Sequence, residues 1–394
     1  MALRTAIFTH YAELYGANRS MLEWVVELRG RGVLDPLVVL PKEGPLTGSL
    51  QAIGIPYAVV PFEPWMSERN YMGRPHHRIM QYLAYRKAAR VRAAHNAALV
   101  PDAVNRLRAH GTQVVLSNSA AVPIGHPVAR ALGMPHVWHI RELPELHYRL
   151  HLDAGRNAYG RALGASACVV AISEAVKHDV LRYVQANTRI EVVPNGVLPR
   201  ARYEELRQVM MERWAQLSPF RFVQVGLIHP GKGQVEAVEA LAQVRVRFPQ
   251  ATLVIAGTGR DKPLRQRISE LGLEGAVELA GFVDDVPALL KRCHVLLSTS
   301  RDEAFGRTVV EAMASGLPVI GHDSGGTPEL IQNGSTGRLY SGGVRPLAAA
   351  MSGIMSDLVG AQEMGRRAQA FAAANFSVER TADRMHALLL QAVR

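Results

Sequence analysis

The chain has 394 residues, and none of its apolar runs approaches the ~18 residues that a bilayer-spanning helix requires. It has only two cysteines, Cys168 and Cys293, and both lie in apolar surroundings. This placement favours buried thiols in a reducing compartment over a disulfide bond. Because the N-terminal segment has too short an apolar stretch for a signal peptide, we expect a cytoplasmic protein.

Two common functional signatures are present only in part. Gly257 and Gly259 form a GxG after a predicted strand, but the third glycine of a dinucleotide-binding turn is missing. This disfavours an NAD-dependent oxidoreductase. His147 and His151 are four residues apart and could share a helix face as zinc ligands, but no HExxH motif or cysteine accompanies them. We therefore predict no metal site.

What the chain does contain is a regular alternation of strand-like and helix-like segments. Its strand-like runs are continuously apolar, which is typical of parallel sheets covered by helices on both faces. They are TAIFTH, PLVVLP, PYAVVPF, QVVLSN, PHVWHI, CVVAIS and IEVVPN, followed by FRFVQVG, ATLVIAG, AVELAG, VLLSTS, LPVIG and GRLY. This pattern predicts an α/β protein with two doubly wound, Rossmann-like domains facing each other across a cleft. We place the domains at 1–198 and 199–372, with a final helix at 373–394 returning to the first domain.

The segment SRDEAFGRTVVEAMASG, from Ser300 to Gly316, joins a predicted strand to a predicted helix. Gly306 lies at the turn, where the free N–H groups of a helix start can bind an anion. Glu303 precedes the turn, and Glu311 lies within the helix. These features suit a ligand with both a phosphate and several hydroxyls, such as a nucleotide sugar.

A second strand-to-helix turn, VGLIHPGKGQ, runs from Val225 to Gln234. Gly226, Gly231 and Lys232 match the spacing of a phosphate-binding loop, but Gly233 replaces the Ser or Thr that would hold magnesium. An ATPase or kinase is therefore disfavoured, while the glycines and Lys232 can still meet a phosphate. The alternative is an ordinary solvated glycine-rich turn.

A third polar group, His139, Arg141 and Glu142, ends the predicted strand PHVWHI. At the carboxyl end of a parallel strand these side chains would face the predicted cleft. For His139, a structural histidine with hydrogen-bond partners and a site residue are equally compatible with the sequence.

Taken together with GFVDDV, DSGGTPELI, SEAVKHDV and VVPNGV, these segments resemble the retaining glycosyltransferases of family 4, group 1 enzymes with the GT-B fold. The resemblance covers nearly the whole chain. It implies transfer of a sugar from a UDP- or GDP-linked donor, bound by domain 199–372, to a glycan or lipid-linked acceptor on the side of domain 1–198. It also implies a role in the biosynthesis of surface polysaccharide, lipopolysaccharide or glycolipid. No cofactor is implied besides the nucleotide sugar as co-substrate.

The resemblance also implies roles for individual residues. Lys232 would contact the diphosphate, Glu303 the donor sugar, and His139 would belong to the catalytic region. The further implied donor contacts are Gly16, Val283, Phe305, Gly306, Arg307, Thr308 and Glu311, with Val283 at the base and Glu311 at the ribose. No Asp-x-Asp pair occurs to hold a metal on the diphosphate, as in the other main glycosyltransferase architecture, which favours a metal-independent enzyme.

The chain departs from the family pattern at several positions. Leu227 stands where the family often has an arginine, so a diphosphate contact would come from elsewhere, with Arg301 and His229 as candidates. Ala17 follows Gly16 where a second glycine is usual, and Leu198 replaces an aspartate. The catalytic-region histidine of the family could align with His139 or with the position of Arg141, and both alignments remain open.

The basic balance leaves other functions to consider. The net charge is +11, and residues 69–108 carry nine Lys or Arg against one Asp. This stretch predicts a basic amphipathic helix that would either bind an anionic membrane surface or pack on its sheet as an ordinary solvated helix. A nucleic-acid partner is disfavoured, because no aromatic platform accompanies the charges. The competing functions are a sugar-nucleotide epimerase of similar fold, a phosphorylase-like enzyme with pyridoxal phosphate, and a non-catalytic basic binding protein.

Overall fold

The computed structural model describes residues 2–68, 74–146, 150–208 and 212–394. The chain folds into two compact units. Unit 1 comprises Met1–Gly196 and Val378–Arg394, and unit 2 comprises Val197–Ser377. The expected boundary after residue 198 lies two residues beyond the observed division after Gly196. Each unit has the α/β architecture that the alternating pattern predicts.

Within its described residues, unit 1 contains a seven-stranded parallel sheet and a two-stranded antiparallel pair. The strands are β1 (Leu3–Phe8), β2 (Leu34–Leu40), β3 (Tyr57–Val59), β4 (Met66–Glu68), β5 (Val114–Ser117), β6 (His136–Ile140), β7 (Leu150–Leu152), β8 (Cys168–Ala171) and β9 (Ile190–Val192). The large sheet has the order β3-β2-β1-β5-β6-β8-β9, and β4 pairs with β7. The helices are α1 (Gly16–Gly30), α2 (Pro45–Ala52), α3 (Pro75–His110), α4 (Gly125–Leu132), α5 (Arg156–Gly164), α6 (Glu174–Leu181) and, from the end of the chain, α15 (Val378–Val393).

The continuously apolar strands of unit 1 divide their side chains between two cores. Ile7, Val38 and Leu116 point to one face, where they join buried residues of α1 and α15. Their neighbours Phe8 and Val39 point to the other face, which α3 and α4 cover. Because side chains alternate along a strand, a sheet with helices on both faces needs apolar residues at every position.

Unit 2 repeats this architecture in its described part. Its strands are β10 (Phe220–Val225), β11 (Ala251–Ala256), β12 (Val277–Gly281), β13 (Val295–Ser298), β14 (Val319–His322) and β15 (Gly337–Tyr340), in the order β12-β11-β10-β13-β14-β15. Its helices are α7 (Arg200–Gln208), α8 (Gln234–Arg245), α9 (Lys262–Glu270), α10 (Val286–Lys291), α11 (Arg307–Ala314), α12 (Thr327–Leu330), α13 (Val344–Ser356) and α14 (Leu358–Asn375), with short 3-10 turns at Glu212–Ala215 and Pro230–Lys232.

The strand order reverses once in each large sheet. In unit 1 the chain builds outward from β1 through β2 to β3 and then returns to the other side of β1 with β5. In unit 2 it builds from β10 through β11 to β12 and returns with β13. At such a reversal the loops after two adjacent parallel strands diverge, which is where open α/β sheets bind their ligands.

All thirteen apolar runs singled out in the sequence form strands of the two large sheets. The pair β4 and β7 was not predicted, because each of its strands has only three residues and lacks an apolar run. Within the described residues we find no helix with the length and hydropathy of a transmembrane segment.

Both cysteines are buried free thiols, as their apolar surroundings predict. Burial raises the pKa of the Cys168 thiol to about 11 and that of the Cys293 thiol to about 12. Such thiols are protonated and poorly nucleophilic at neutral pH.

Candidate functional site

The first element of the candidate site is the lysine loop, residues 226–233, which follows β10 at the strand reversal of unit 2. The backbone carbonyl of Lys232 accepts hydrogen bonds from Gln224 Nε2 and Thr299 Oγ1, both at 2.7 Å. Gln224 and Thr299 belong to or follow the adjacent strands β10 and β13, so both strands fix the lysine backbone. Gly233 then has a left-handed φ of 69°, and a Cβ there would lie 2.7 Å from Thr299 Oγ1.

The second element is the glutamate loop, residues 299–306, which follows β13. Glu303 Oε2 lies 2.5 Å from Lys232 Nζ, and the two side chains are 22% and 24% exposed. The sequence separates these residues by 71 positions, and the strand reversal brings them together. The pair therefore combines a cation and a carboxylate that are held by neighbouring strand ends and remain accessible to a ligand.

A glycine-rich segment after β14 supports the glutamate loop from behind. Ser324 Oγ accepts a hydrogen bond from the Asp302 N–H at 3.0 Å, and the Gly326 N–H donates to the Glu303 carbonyl at 2.7 Å. Gly325 packs so closely that a Cβ there would lie 2.4 Å from the Glu303 carbonyl oxygen. The segment thus fixes the backbone that carries Glu303.

The turn into α11 places the other residues expected near the donor. Gly306 is the N-cap with a left-handed φ of 94°, and no side chain in the described part of the chain caps the helix start. The ring of Phe305 is buried against Phe376, so only the backbone of Phe305 is available to a ligand. Four residues at this turn were expected to contact the donor, and they offer different groups to a ligand. The buried Phe305 and Gly306 offer backbone atoms, whereas the half-buried Arg307 and Thr308 offer side chains.

Glu311 lies one turn into α11 and is 18% exposed. Its Oε1 accepts a hydrogen bond from Arg307 Nε at 3.0 Å, and Arg307 also donates to the Val197 carbonyl at 3.1 Å. A ribose hydroxyl at Glu311 would therefore meet a carboxylate whose position Arg307 already fixes.

Among the remaining residues expected in unit 2, Val283 lies on another loop of the same sheet edge, while Arg301 and His229 belong to the glutamate and lysine loops. Val283 is half-buried in the loop after β12, beside Phe282, which is 71% exposed. Of the two candidates for the missing diphosphate contact, Arg301 points towards Glu236 and the Gly342 carbonyl. His229 lies within the lysine loop, where its Nδ1 accepts from the Gly231 N–H at 3.1 Å. A diphosphate contact from either residue stays a prediction.

In unit 1, His139 lies on β6, an interior strand of the large sheet. Its side chain is 0% exposed, and neither ring nitrogen has a hydrogen-bond partner among the residues that the structure describes. Burial, and secondarily the charge of Arg141, lower the pKa of His139 well below its usual value, so the imidazole is neutral. A catalytic role for His139 stays a prediction, and in this structure the side chain does not reach the surface.

Arg141, the alternative at this position, lies just beyond β6. Its Nε donates to Asn118 Oδ1 at 2.8 Å and its Nη1 to Asn195 Oδ1 at 2.7 Å. Glu142 follows, and its Oε2 accepts from the Ala120 N–H at 3.0 Å. A polar cluster therefore marks the end of β6, next to the strand reversal between β1 and β5.

Gly16 begins α1, after the loop that follows β1 at the same reversal. A Cβ at Gly16 would meet no atom within 4 Å, so packing does not require glycine there. His10, in the same loop, has its pKa lowered by burial, an effect opposed by the nearby Glu142 and Glu13.

Of the two histidines considered as zinc ligands, His147 lies outside the described residues. Within the described residues, no three His, Cys, Asp or Glu side chains group together as metal ligands would.

Two family models match most of the chain between them. The model described as "Glycosyl transferases group 1" matches residues 212–371, and that described as "Glycosyltransferase Family 4" matches residues 15–199. The chain belongs to the group 1 glycosyltransferases. The division between the two matches falls next to the division between the two units.

Among curated proteins, this group 1 glycosyltransferase is similar to the N-acetyl-alpha-D-glucosaminyl L-malate synthase of Bacillus anthracis, with 31% identity over 44% of this chain and 46% of that protein. It is also similar to the alpha-D-kanosaminyltransferase of Streptomyces kanamyceticus, with 25% identity over 68% of this chain and 73% of that protein. The first match thus spans about half the length of the relative, while the second spans most of it.

Among solved structures, Anabaena Alr3699/HepE in complex with UDP matches with a TM-score of 0.77 and 24% identity over 98% of both chains. The same protein in complex with UDP-glucose matches with a TM-score of 0.75 and 25% identity. These similarities establish the two-domain, Rossmann-like GT-B fold for this group 1 glycosyltransferase.

Several residues that shape the site received no role in the sequence analysis, although DSGGTPELI and VVPNGV contain some of them. They are Gln224 and Thr299 around the Lys232 backbone, Ser324 to Gly326 behind Glu303, and Asn118 and Asn195 around Arg141. Nearly all of them lie at or just beyond the carboxyl end of a strand, and small or polar residues there are the signal that could have revealed them.

Proposed function

We propose that this group 1 glycosyltransferase moves a sugar from a nucleoside-diphosphate donor to an acceptor hydroxyl, with retention of the anomeric configuration and without a metal. The observation that supports the proposal most is the Lys232–Glu303 pair at the strand reversal of unit 2. A UDP- or GDP-linked sugar presents a diphosphate to one member and sugar hydroxyls to the other. The UDP and UDP-glucose held by the similar Anabaena structures agree with a uridine donor.

In the proposed reaction the bond between the anomeric carbon and the diphosphate oxygen breaks, and negative charge develops on the leaving diphosphate. The Lys232 ammonium and the N–H groups at the start of α11 stabilise that charge. Their positions are preorganised, since two strands fix the Lys232 backbone and Gly306 sets the helix start.

The acceptor oxygen bonds to the anomeric carbon on the face that the diphosphate leaves, and its proton passes to a phosphate oxygen of the leaving group. The configuration is therefore retained, and no protein base is required. Glu303 accepts hydrogen bonds from the donor hydroxyls and orients the sugar rather than attacking the carbon. Arg307 and Glu311 hold the ribose end.

We further propose that the acceptor belongs to surface polysaccharide, lipopolysaccharide or glycolipid biosynthesis.

The Lys232–Glu303 pair suits the features that all nucleotide sugars share, a diphosphate and sugar hydroxyls. The choice among donor sugars depends on individual hydrogen bonds to their hydroxyls. A panel of donors is therefore the first requirement of a test.

The test has two stages. A thermal-shift screen of UDP- and GDP-sugars should reveal a donor that raises the melting temperature, and Lys232→Ala should abolish the shift. The stabilising donor is then incubated with and without glycan and lipid-linked acceptors, and NMR identifies the anomer formed. Retained configuration in an acceptor-dependent product supports the proposal. Conversion of the nucleotide sugar without an acceptor would instead indicate an epimerase, and an inverted product would refute retention.

Metal independence has its own test. Activity should persist in EDTA, because Lys232 and the α11 start supply the positive charge that a metal would otherwise provide. Loss of activity that magnesium or manganese restores would refute this part of the proposal.

A further inference from the structure

Helix α3, Pro75–His110, packs against the rest of unit 1 along only part of its length. Its buried positions, Ala89, Asn96, Ala103, Val104 and Leu107, begin nearly four turns into the helix. Residues 75–84 are all exposed. The N-terminal part of α3 therefore projects beyond the body that its C-terminal part covers.

A polar anchor fixes the point from which the helix projects. Arg92 Nη2 lies 2.7 Å from Asp153 Oδ2, and the Tyr85 hydroxyl donates to Asp153 Oδ1 at 3.1 Å. The Asp153 side chain is only 6% exposed. One turn further on, Asn96 exchanges two 2.9 Å hydrogen bonds with the backbone of Glu63. These contacts hold one side of α3 against unit 1 and set which side faces outward.

The outward side carries large apolar residues. Ile79, Met80, Leu83 and Val91 are 60–67% exposed. At about 100° per residue, they lie on the side of the helix away from Tyr85, Ala89 and Arg92. They do not pack on the sheet of unit 1, so the interpretation of α3 as an ordinary helix with an apolar face in the core does not hold for this part.

The same side is strongly basic. Arg86, Lys87 and Arg90 are exposed, and none of them makes an ion pair within the part of the chain that the structure describes. The sequence from Arg74 to Pro101 contains no Asp or Glu. Residues 69–73, at the start of the predicted basic region, lie outside the described residues. The surface formed by Ile79, Met80, Leu83, Arg86, Lys87, Arg90 and Val91 is called the α3 face below.

We propose that the α3 face docks on an anionic lipid bilayer. Apolar side chains that enter the boundary of the acyl chains, with basic side chains beside them at the headgroups, are the combination that holds a helix in a membrane interface. A second copy of the chain is a poorer occupant, because pairing two α3 faces would bring like charges together. The proposal rests on this surface alone and holds whichever sugar the enzyme transfers.

The first experiment is co-sedimentation of the whole protein with vesicles of phosphatidylcholine alone or mixed with phosphatidylglycerol. We expect binding to the mixed vesicles that weakens as salt is raised. Replacing Arg86, Lys87 and Arg90 by Gln should lower the partition coefficient about a hundredfold, the effect of three basic residues at an anionic surface. The matched control replaces Arg247, Lys291 and Arg345, which are exposed on unit 2, by Gln. The control should bind nearly as the unmodified protein does.

A second pair of variants tests the apolar contribution. Met80→Gln with Leu83→Gln should weaken binding about tenfold or more, because two buried side chains are lost from the interface. Val246→Gln with Val359→Gln, at positions 88% and 81% exposed on unit 2, should leave binding unchanged. Gln keeps helix propensity, and circular dichroism verifies that each variant is folded.

Three outcomes would overturn the proposal. The first is that the protein does not bind mixed vesicles at low salt. The second is that the control triple variant loses as much binding as the variant of Arg86, Lys87 and Arg90. The third is that the protein does not bind vesicles and instead forms a dimer in sedimentation velocity, which the double variant Met80→Gln with Leu83→Gln dissociates. The last result would assign the α3 face to a second copy. Failure here would leave the donor screen untouched, since that screen uses no lipid.

Discussion

The two large sheets end differently at their strand reversals, although their architecture is the same. In unit 2 the loops after β10 and β13 present Lys232 and Glu303 as a partly exposed ion pair on a closely supported backbone. In unit 1 the ends of β5 and β6 hold Arg141 in a buried network with Asn118 and Asn195, and His139 is fully enclosed. One edge thus offers charges to a ligand, whereas the other uses polar groups to fix its own loops. Substitution of Lys232 or Glu303 in unit 2 should therefore lower turnover more than stability. Substitution of Arg141 in unit 1 should lower stability more than turnover.

The largest effect should come from the ion pair of unit 2. Lys232→Ala and Glu303→Gln should each lower turnover by two to three decades, since one charge contact to a transition state is worth roughly 3–4 kcal/mol. Steady-state kinetics with the identified donor measures the loss, and thermal unfolding should show an intact fold. Lys291→Ala and Glu278→Gln, exposed in the same unit, serve as controls. Near-normal turnover in both site variants would disprove the assignment.

Arg141 should show the opposite balance. Arg141→Met leaves two buried amide oxygens without their donor and should destabilise unit 1 by about 3 kcal/mol. Arg141→Lys keeps the charge but cannot reach both partners, so it should cost less. Urea unfolding followed by tryptophan fluorescence reports mainly on unit 1, which holds Trp24, Trp65 and Trp138 of the four tryptophans. Unchanged stability with lost turnover would instead place Arg141 at the reacting atoms.

A comparison of two glycine substitutions can distinguish the support that Gly325 gives to the glutamate loop from the cost of backbone strain. Gly325→Ala should destabilise unit 2 by about 2 kcal/mol or more and lower turnover, because the new Cβ collides with the Glu303 carbonyl. Gly334 also has positive φ, at 79°, but a Cβ there meets nothing within 4 Å. Gly334→Ala should therefore cost only the strain, about 1 kcal/mol, and leave turnover unchanged. Equal losses of activity in the two variants would argue against the supporting role.

The smallest effect concerns His139 and pH. Its pKa in the folded protein lies well below the ordinary 6.5, so the folded protein binds fewer protons than the unfolded chain and loses stability as pH falls below 6.5. At pH 5.5 this loss is about 1.4 kcal/mol. His139→Leu should remove this loss. Between pH 7.5 and 5.5 the free energy of unfolding, measured in urea, should therefore fall less in the variant than in the unmodified protein. Identical pH dependence in the two proteins would contradict a buried, neutral His139.

Different parts of the site were predictable to different degrees. The positions of Glu303 and Lys232 at turns that follow strands could be predicted, because a local pattern of glycines and apolar runs surrounds both residues. Their contact could not be predicted, because it depends on β10 and β13 being neighbours although 71 positions separate the two side chains. The close approach of Gly325 to Glu303 arises from a third strand and leaves no mark near either residue.

His139 and α3 show the same division in unit 1. The sequence places His139 on a strand, and its full enclosure follows only from the elements that cover β6. For α3, the sequence determined the helix, its charge and its apolar residues, but two placements suited that pattern equally well. The anchor of Arg92 and Tyr85 on Asp153 determines which side of α3 faces outward, and Asp153 comes from a distant loop. Local pattern thus determined the strands, the turns and the chemistry at their ends. Strand order and long-range packing decided which of those groups meet, which are enclosed and which face outward, since these depend on residues far apart in the chain.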